Sequence, residues 1–149
     1  MRANPNFHAP ESDAPLILIG NGTGIAGLRA LLKTRIATAR TRNWLIFGKR
    51  NAAHDRFYGE ELERSRADGQ IERIDLVFSR DQPERRYVQD CIRDCADDVR
   101  RWVADGAAIY ICGSLQGMAP GVDAALTQVL GDDTLETLAA TGRYRRDVY

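Results

Sequence analysis

The sequence predicts an α/β fold: a three-layer, doubly wound parallel sheet of about five strands with helices on both faces. Short continuous apolar runs such as Leu16–Ile19 and Trp44–Phe47 are typical of strands buried on both sides. Segments with apolar residues at helical spacing lie between these runs. This alternation favours right-handed crossovers within one parallel sheet. With 149 residues, 44% of them hydrophobic, the chain is long enough for the core of one domain.

The first half of the chain is predicted to hold a linker, three strands and two helices. Three prolines make residues 1–15 an extended segment rather than a packed element. Glycines end the first strand, Asp55 is placed to cap the second helix, and Gly69 is placed to end it. The predicted elements are Met1–Pro15 (linker), Leu16–Ile19 (strand), roughly Gly24–Arg40 (helix), Trp44–Phe47 (strand), Asp55 to about Arg66 (helix) and Ile71–Phe78 (strand).

The second half is predicted to hold three helices and two strands. Its first helix is strongly amphipathic, with one apolar stripe made by Val88, Ile92, Cys95, Val99 and Trp102. The predicted elements are Tyr87–Val103 (helix), Ala107–Cys112 (strand), Met118–Leu130 (helix), Asp132–Ala140 (helix) and Tyr144–Tyr149 (strand). Ligands of open α/β sheets bind beyond the carboxyl ends of the strands, so the residues after each strand are the candidates for a site.

Charge and cysteine content exclude several classes of protein. The chain carries 21 basic and 21 acidic residues, and a zero net charge argues against a general nucleic-acid binder. No apolar run approaches the roughly 18 residues that a membrane helix needs, and the polar, proline-bearing start does not resemble a signal peptide. Three scattered cysteines do not suggest a disulfide framework, which favours a reducing, cytoplasmic location.

A glycine-rich loop follows the first strand. Gly22, Gly24 and Gly27 satisfy a G-x-G-x-x-G spacing, and such a loop before a helix N-terminus can hold a phosphate or pyrophosphate. The match alone is weak, and the alternative interpretation is a tight strand-to-helix turn without a ligand. The dinucleotide fingerprint also requires an acidic residue after the second strand. Because Lys49 and Arg50 stand there, Arg50 would accommodate a 2′-phosphate under that interpretation.

Polar and aromatic residues gather after the third strand. Arginine forks match phosphate oxygens and a tyrosine ring can stack on a base, which suits an adenosine that carries an extra phosphate. The alternative is a solvated helix start with surface ion pairs, and spacing alone does not separate the two. The residues concerned are Ser79, Arg80, Arg85, Tyr87 and Gln89.

The cysteines allow two interpretations. Cys112 ends the fourth strand before Gly113 and can face a ligand there, although an isolated cysteine is more often a small buried hydrophobe. Cys91 and Cys95 have the i, i+4 spacing that can hold a metal, but zinc needs three or four ligands and the two histidines are remote in sequence. We therefore interpret this pair as core or boundary residues and expect no metal.

The strand-end motifs together resemble the ferredoxin–NADP reductase superfamily. Within it they are most similar to the pyridine-nucleotide domain of diflavin reductases, especially the flavoprotein subunits of NADPH–sulfite reductases. The resemblance covers essentially the whole chain, and five motifs in register are far more specific than any one of them. They are Gly22-Thr23-Gly24-Ile25-Ala26, Ser79-Arg80-Asp81-Gln82, Tyr87-Val88-Gln89, Ile109-Tyr110-Ile111-Cys112-Gly113 and Arg146-Asp147-Val148-Tyr149.

The resemblance implies NADP(H) as the nucleotide and FAD as its hydride acceptor. It moves the 2′-phosphate from Arg50 to Ser79 and Arg80, and it makes a functional role for Cys112 the better interpretation. The implied catalytic residues are Cys112 beside the nicotinamide, Asp147 near it and Tyr149 over the flavin ring. The implied cofactor-binding residues are Gly22, Thr23 and Gly24 (pyrophosphate), Ser79, Arg80 and Arg85 (2′-phosphate), Tyr87 and Gln89 (adenosine), Gly113 and Met118.

The sequence departs from the family pattern at three places. Asn21 and Gly27-Leu28 stand where the family usually has Pro and Pro-Phe, and Ser114 stands where diflavin reductases commonly have Asp. Ser can donate or accept a hydrogen bond but carries no charge, so hydride transfer would be tuned differently. These departures motivate an alternative, a degenerate nucleotide sensor or docking module without catalysis. A third hypothesis is a dinucleotide-fold oxidoreductase that uses Arg50.

The resemblance also implies a domain that the sequence does not contain. Family enzymes bind FAD on a preceding β-barrel, and its flavin motif is not found in these residues. We expect residues 1–15 to be a linker from that FAD-binding domain and residues 16–149 to be the NADP(H)-binding domain. The expected partners are the FAD-binding domain and a flavodoxin-like or other redox partner, without nucleic acid or membrane.

Overall fold

The fold was analysed in a computed structural model that describes residues 14–21, 25–37, 42–49, 64, 66–69, 71–78, 88–113 and 119–148. The strands are β1 (Leu16–Asn21), β2 (Asn43–Lys49), β3 (Arg73–Phe78), β4 (Ala108–Gly113) and β5 (Tyr144–Val148). The helices with full bounds are α1 (Ile25–Ala37), α2 (Val88–Asp94), α3 (Ala96–Ala104), α4 (Ala119–Leu130) and α5 (Asp132–Ala140).

The five strands form one parallel sheet in the order β3-β2-β1-β4-β5. After β1, the chain adds β2 and then β3 on one side of it. It then crosses to the other side of β1, where it adds β4 and β5. The strand order therefore reverses between β1 and β4, and this reversal is the topological switch point at which open α/β sheets bind ligands. The predicted fold class is confirmed.

Each face of the sheet carries its own core. On one face, apolar side chains of the strands pack against helices α2 to α5, with Ile92, Val99, Val122 and Leu126 buried. On the other face, alternate strand residues pack with Leu31 and Leu32 of α1. Strands covered on both faces require continuous apolar runs, which explains why β1, β2 and β4 show no alternation in sequence.

The predicted elements differ from the structure in one main respect. The single helix predicted over Tyr87–Val103 is wrong, since Cys95 separates α2 from α3 with φ −101° and ψ 25°. The backbone N–H of Cys95 still bonds to Cys91 and that of Val99 to Cys95, so the apolar stripe continues across the break. The spacing of apolar residues predicts which side of a helix is buried, but it does not reveal a local change in the backbone angle ψ.

The second predicted helix lies mostly outside the described residues. Arg64, Arg66 and Ala67 are helical, and the backbone N–H of Gly69 bonds to the carbonyl of Arg66. Gly69 has φ +79°, a left-handed conformation that favours glycine at a helix end. The predicted stop at Gly69 is therefore confirmed. No helix in the part of the chain that the structure describes is long and apolar enough to cross a membrane.

Candidate functional site

The candidate site lies at the carboxyl ends of β1 and β4. Gly20 of β1 pairs in register with Cys112 of β4, and Cys112 pairs on its other side with Asp147 of β5. The backbone of the last motif thus lies beside the backbone of the fourth-strand motif, at the switch point of the sheet. Two segments that the sequence singled out, 35 positions apart, meet here because β5 adds to β4 in parallel.

Cys112 is 2% exposed and belongs to the core cluster on the α1 face of the sheet. Burial as a small apolar residue, which we gave as one interpretation, is therefore confirmed. A ligand role stays a prediction. Both are compatible, because a residue near the carboxyl end of a strand borders the crevice beyond the strand ends.

Tyr110 lies two residues before Cys112 on the same face and is also buried. Burial raises the pKa of the Tyr110 phenol above its ordinary value, although Arg145 and Arg35 act in the opposite direction. Tyr110 is therefore a neutral phenol at neutral pH. It belongs to the same buried apolar cluster as Cys112 and adds no charge to that cluster.

Gln89 is the one predicted adenosine-side residue that the structure describes with its side chain. It lies in the first turn of α2, against the first turn of α4. A Cβ atom at position 121 would lie 2.8 Å from Nε2 and 3.0 Å from Cδ of Gln89, closer than real contacts allow. The absence of a side chain at Gly121 therefore lets the Gln89 side chain pack directly against the first turn of α4.

Sequence reasoning missed Gly121. A signal was present, because glycine near the start of a helix costs about 1 kcal/mol relative to alanine and is explained by close packing. The preceding Pro120 suits the first turn of a helix. The pair Gln89–Gly121 links the helix after the third strand to the helix after the fourth.

Most other predicted site residues lie outside the described residues. Gly113 and Asp147 are described by their backbone alone, in β4 and β5. The described part of the chain does not include Gly22, Thr23, Gly24, Arg50, Ser79, Arg80, Arg85, Tyr87, Ser114, Met118 or Tyr149. By chain order these positions follow β1, β2, β3, β4 and β5, so each predicted segment is attached to the strand end that the fold assigns to it.

Comparison with known proteins agrees with this architecture. Residues 18–124, more than half of the chain, match the family described as oxidoreductase NAD-binding domain. The chain is 42% identical to the sulfite reductase [NADPH] flavoprotein alpha-component of Salmonella arizonae and to that of Escherichia coli K12. It is 41% identical to the same component of Neisseria meningitidis serogroup B.

Each of these alignments covers 98% of this chain and 26% of the relative. The chain thus spans about a quarter of the length of the curated relatives that it matches. The five-stranded parallel sheet, the switch point beside Cys112 and the family match agree with the resemblance found in the motifs. The chain belongs to the oxidoreductase NAD-binding domain family, the nucleotide-binding domain of ferredoxin–NADP reductase-like enzymes.

Proposed function

We propose that this chain is the NADP(H)-binding domain of a flavoprotein reductase. It presents NADPH to an FAD held by another domain, and the electrons pass onward to a further carrier, as in a sulfite reductase-like system. The observation that carries the proposal is the register of Gly20, Cys112 and Asp147 at the switch point of the sheet. The names of the relatives, which are NADPH-dependent flavoproteins, support the choice of cofactors.

The residues at the strand ends fit such a nucleotide. Gly20, which has no side chain, and the compact Cys112 stand in register at the carboxyl ends of β1 and β4, so neither places a bulky group where a flat nicotinamide ring would bind. NADPH supplies a hydride when it is bound. The share of the protein is to position the ring, exclude water from it and recognise the phosphates.

The proposed contacts divide along the nucleotide. We assign the pyrophosphate to Gly22, Thr23 and Gly24, because backbone N–H groups before a helix N-terminus favour anions. We assign the 2′-phosphate to Ser79, Arg80 and Arg85, because guanidinium forks match phosphate oxygens. The proposed adenosine contacts are Tyr87 and Gln89, and the proposed nicotinamide-side residues are Cys112, Gly113, Met118, Asp147 and Tyr149.

The proposed domain organisation is supported by the family match over residues 18–124. Residues 16–149 form the NADP(H)-binding domain, and residues 1–15 are a linker toward the FAD-binding domain. A flavodoxin-like or other redox partner receives the electrons. We place the protein in the cytoplasm, because all three cysteines lie in the described part of the chain and none is in a disulfide.

Titration calorimetry with 2′,5′-ADP and 5′-AMP tests this function. We expect the chain to prefer 2′,5′-ADP, and Arg80→Ala to reduce that preference by roughly tenfold or more, because a desolvated charge-assisted contact is worth about 2 kcal/mol. Arg50→Ala is the matched control and should leave the preference unchanged. Equal affinity for both nucleotides would overturn the proposal. Loss of the preference in Arg50→Ala alone would favour the dinucleotide-fold hypothesis.

A further inference from the structure

A second cluster of reactive side chains lies away from the switch point. Asp75 of β3, Cys91 of α2 and Cys95, which joins α2 to α3, offer one ligand atom each, and these atoms all lie within 4.8 Å of one another. We call them the Asp75–Cys91–Cys95 cluster. It lies at the edge of the sheet, since β3 is the outermost strand beyond β2.

The fold holds the carboxylate in one orientation. Asp75 Oδ2 accepts a 2.6 Å hydrogen bond from Trp44 Nε1 and a 2.8 Å hydrogen bond from Arg73 Nε. Among the described residues, both hydrogen bonds of Asp75 therefore end on the same oxygen. Oδ1 accepts no hydrogen bond from those residues. Outer hydrogen bonds that orient a ligating carboxylate in this way are typical of metal centres.

The two sulfur atoms are arranged as a pair. The i, i+4 spacing places Cys91 and Cys95 on one side of the helical segment, and Cys91 is 7% exposed while Cys95 is half-buried. Burial and the neighbouring Cys95 raise the pKa of the Cys91 thiol. Cys95 lies between α2 and α3 and has non-helical backbone angles. Its backbone N–H still bonds to the Cys91 carbonyl, and its carbonyl still accepts from the N–H of Val99.

The charge around the cluster suits a divalent cation. Arg73 Nη2 donates to Cys95 Sγ at 3.2 Å, and Arg73 Nη1 donates to Asp98 Oδ2 at 2.8 Å. Two thiolates and the Asp75 carboxylate would carry three negative charges, and a divalent cation would offset two of them. Arg73, which also pairs with Asp98, offsets part of the remaining charge.

We propose that the Asp75–Cys91–Cys95 cluster binds one soft or borderline divalent cation of the Zn²⁺ class, with two sulfur ligands and one oxygen ligand. The fourth tetrahedral position is open to water, because Asp75 and Cys95 are partly exposed. As each sulfur–metal bond forms, that thiol releases its proton to solvent, and no electrons are transferred. The proposal is independent of nucleotide binding.

Cobalt titration of the fully reduced chain tests the site, because Co²⁺ replaces Zn²⁺ and reports its ligands by absorption. We expect sulfur-to-cobalt charge-transfer bands and intense tetrahedral d–d bands that saturate at one equivalent and disappear when Zn²⁺ is added. Cys91→Ser and Cys95→Ser should each remove most of the charge-transfer intensity. Cys112→Ser, the remaining cysteine of the chain, is the matched control and should leave the spectrum unchanged.

Asp75→Asn tests the oxygen ligand. Its amide oxygen can still accept from Trp44 and Arg73, so we expect a folded chain whose cobalt affinity falls by roughly tenfold or more. Circular dichroism checks the fold. X-ray absorption of the zinc-loaded wild-type chain gives the ligand count without any variant, and two sulfur atoms and lighter neighbours are expected.

Three results would overturn the proposal. The first is that the reduced chain binds neither Co²⁺ nor Zn²⁺ at micromolar concentration. This result would count against the site even if Cys91 and Cys95 form a disulfide when the chain is oxidised. The bands could persist in the Cys91→Ser/Cys95→Ser double variant. Saturation at half an equivalent would show a metal shared between two chains in place of the site within one chain.

Discussion

Arg35 and Asn43 form a fully buried pair: Arg35 Nε donates a 2.8 Å hydrogen bond to Asn43 Oδ1. Arg35 Nη2 also donates to the carbonyl of Ala14 at 2.9 Å and to that of Arg42 at 3.3 Å. One guanidinium near the end of α1 therefore connects the segments that enter β1 and β2. It lies at the amino ends of these strands, at the opposite edge of the sheet from the proposed nucleotide site, and it stabilises the fold.

Asn43→Ala should destabilise the chain by about 2–3 kcal/mol, because it removes an acceptor from a buried charged donor. Urea unfolding, followed by circular dichroism, measures the difference. Lys33→Ala changes an exposed charge on the same helix and should alter the free energy of unfolding by less than about 0.5 kcal/mol. Similar losses in both variants would show that the buried pair contributes nothing specific.

Gly121→Ala should weaken binding of 2′,5′-ADP by roughly fivefold without lowering stability. The new methyl group displaces the Gln89 side chain from its position against α4, which costs about one hydrogen bond to the nucleotide. Alanine meanwhile favours the helix by up to about 1 kcal/mol. Calorimetry and thermal unfolding measure the two effects.

The control for Gly121→Ala is the same change in a Gln89→Ala background, because the two residues are in contact. If the glycine acts through Gln89, the double variant should bind like Gln89→Ala alone. A further loss of affinity in the double variant would show that Gly121 acts by another route. Unchanged affinity in Gln89→Ala would remove Gln89 from the proposed site.

The free energy of unfolding should fall in acid because the Asp98 carboxylate becomes protonated. The hydrogen bond from Arg73 holds the pKa of Asp98 below its ordinary value. A carboxyl with a lowered folded pKa stabilises the protein above its unfolded pKa, near 4, and this contribution is lost as the pH falls through the folded pKa. Asp98→Asn should therefore differ from wild type at neutral pH, and the difference should vanish in acid.

Asp97→Asn is the matched control for Asp98, since both carboxylates lie in the first turn of α3. The Asp97 side chain is 93% exposed and, among the described residues, pairs with the exposed Arg100. Its replacement should shift the free energy of unfolding by less than about 0.5 kcal/mol from pH 6 to pH 3. A constant difference between Asp98→Asn and wild type over that range would contradict the assignment to Arg73.

Sequence patterns predicted the sheet because a strand that is buried on both faces requires a continuous run of apolar residues. Leu16–Ile19 and Trp44–Phe47 lie within β1 and β2 as expected, and the last two helices and the final strand end close to their predicted bounds. The break at Cys95 was not predictable from hydrophobicity, since both helices share one stripe. Motifs located the strand-end segments, but the site residues among them stay predictions.

Charged residues were the least predictable from sequence. A charge normally indicates a solvated surface, yet Arg35 is fully buried because backbone carbonyls and Asn43 surround it. Asp97 is exposed, but its neighbour Asp98 pairs with Arg73 from β3. For the same reason Asp75 was missed as a neighbour of Cys91 and Cys95. Such contacts join residues far apart in sequence, and no local spacing reveals them.

The last prediction separates an enzyme domain from a docking module. Joined to a matching FAD-binding domain, Cys112→Ala should bind 2′,5′-ADP within about threefold of wild type, because the nicotinamide end contributes little to that ligand. Hydride transfer to the flavin should slow by tenfold or more, since a small error in positioning the nicotinamide is costly. Stopped-flow absorbance of the flavin measures the rate, and removal of Tyr149 should change it independently of adenosine binding. Undiminished flavin reduction after both changes would remove Cys112 and Tyr149 from the proposed catalytic residues. Absence of flavin reduction in the unaltered chain would favour the degenerate module, which Ser114 and the glycine-rich loop motivate.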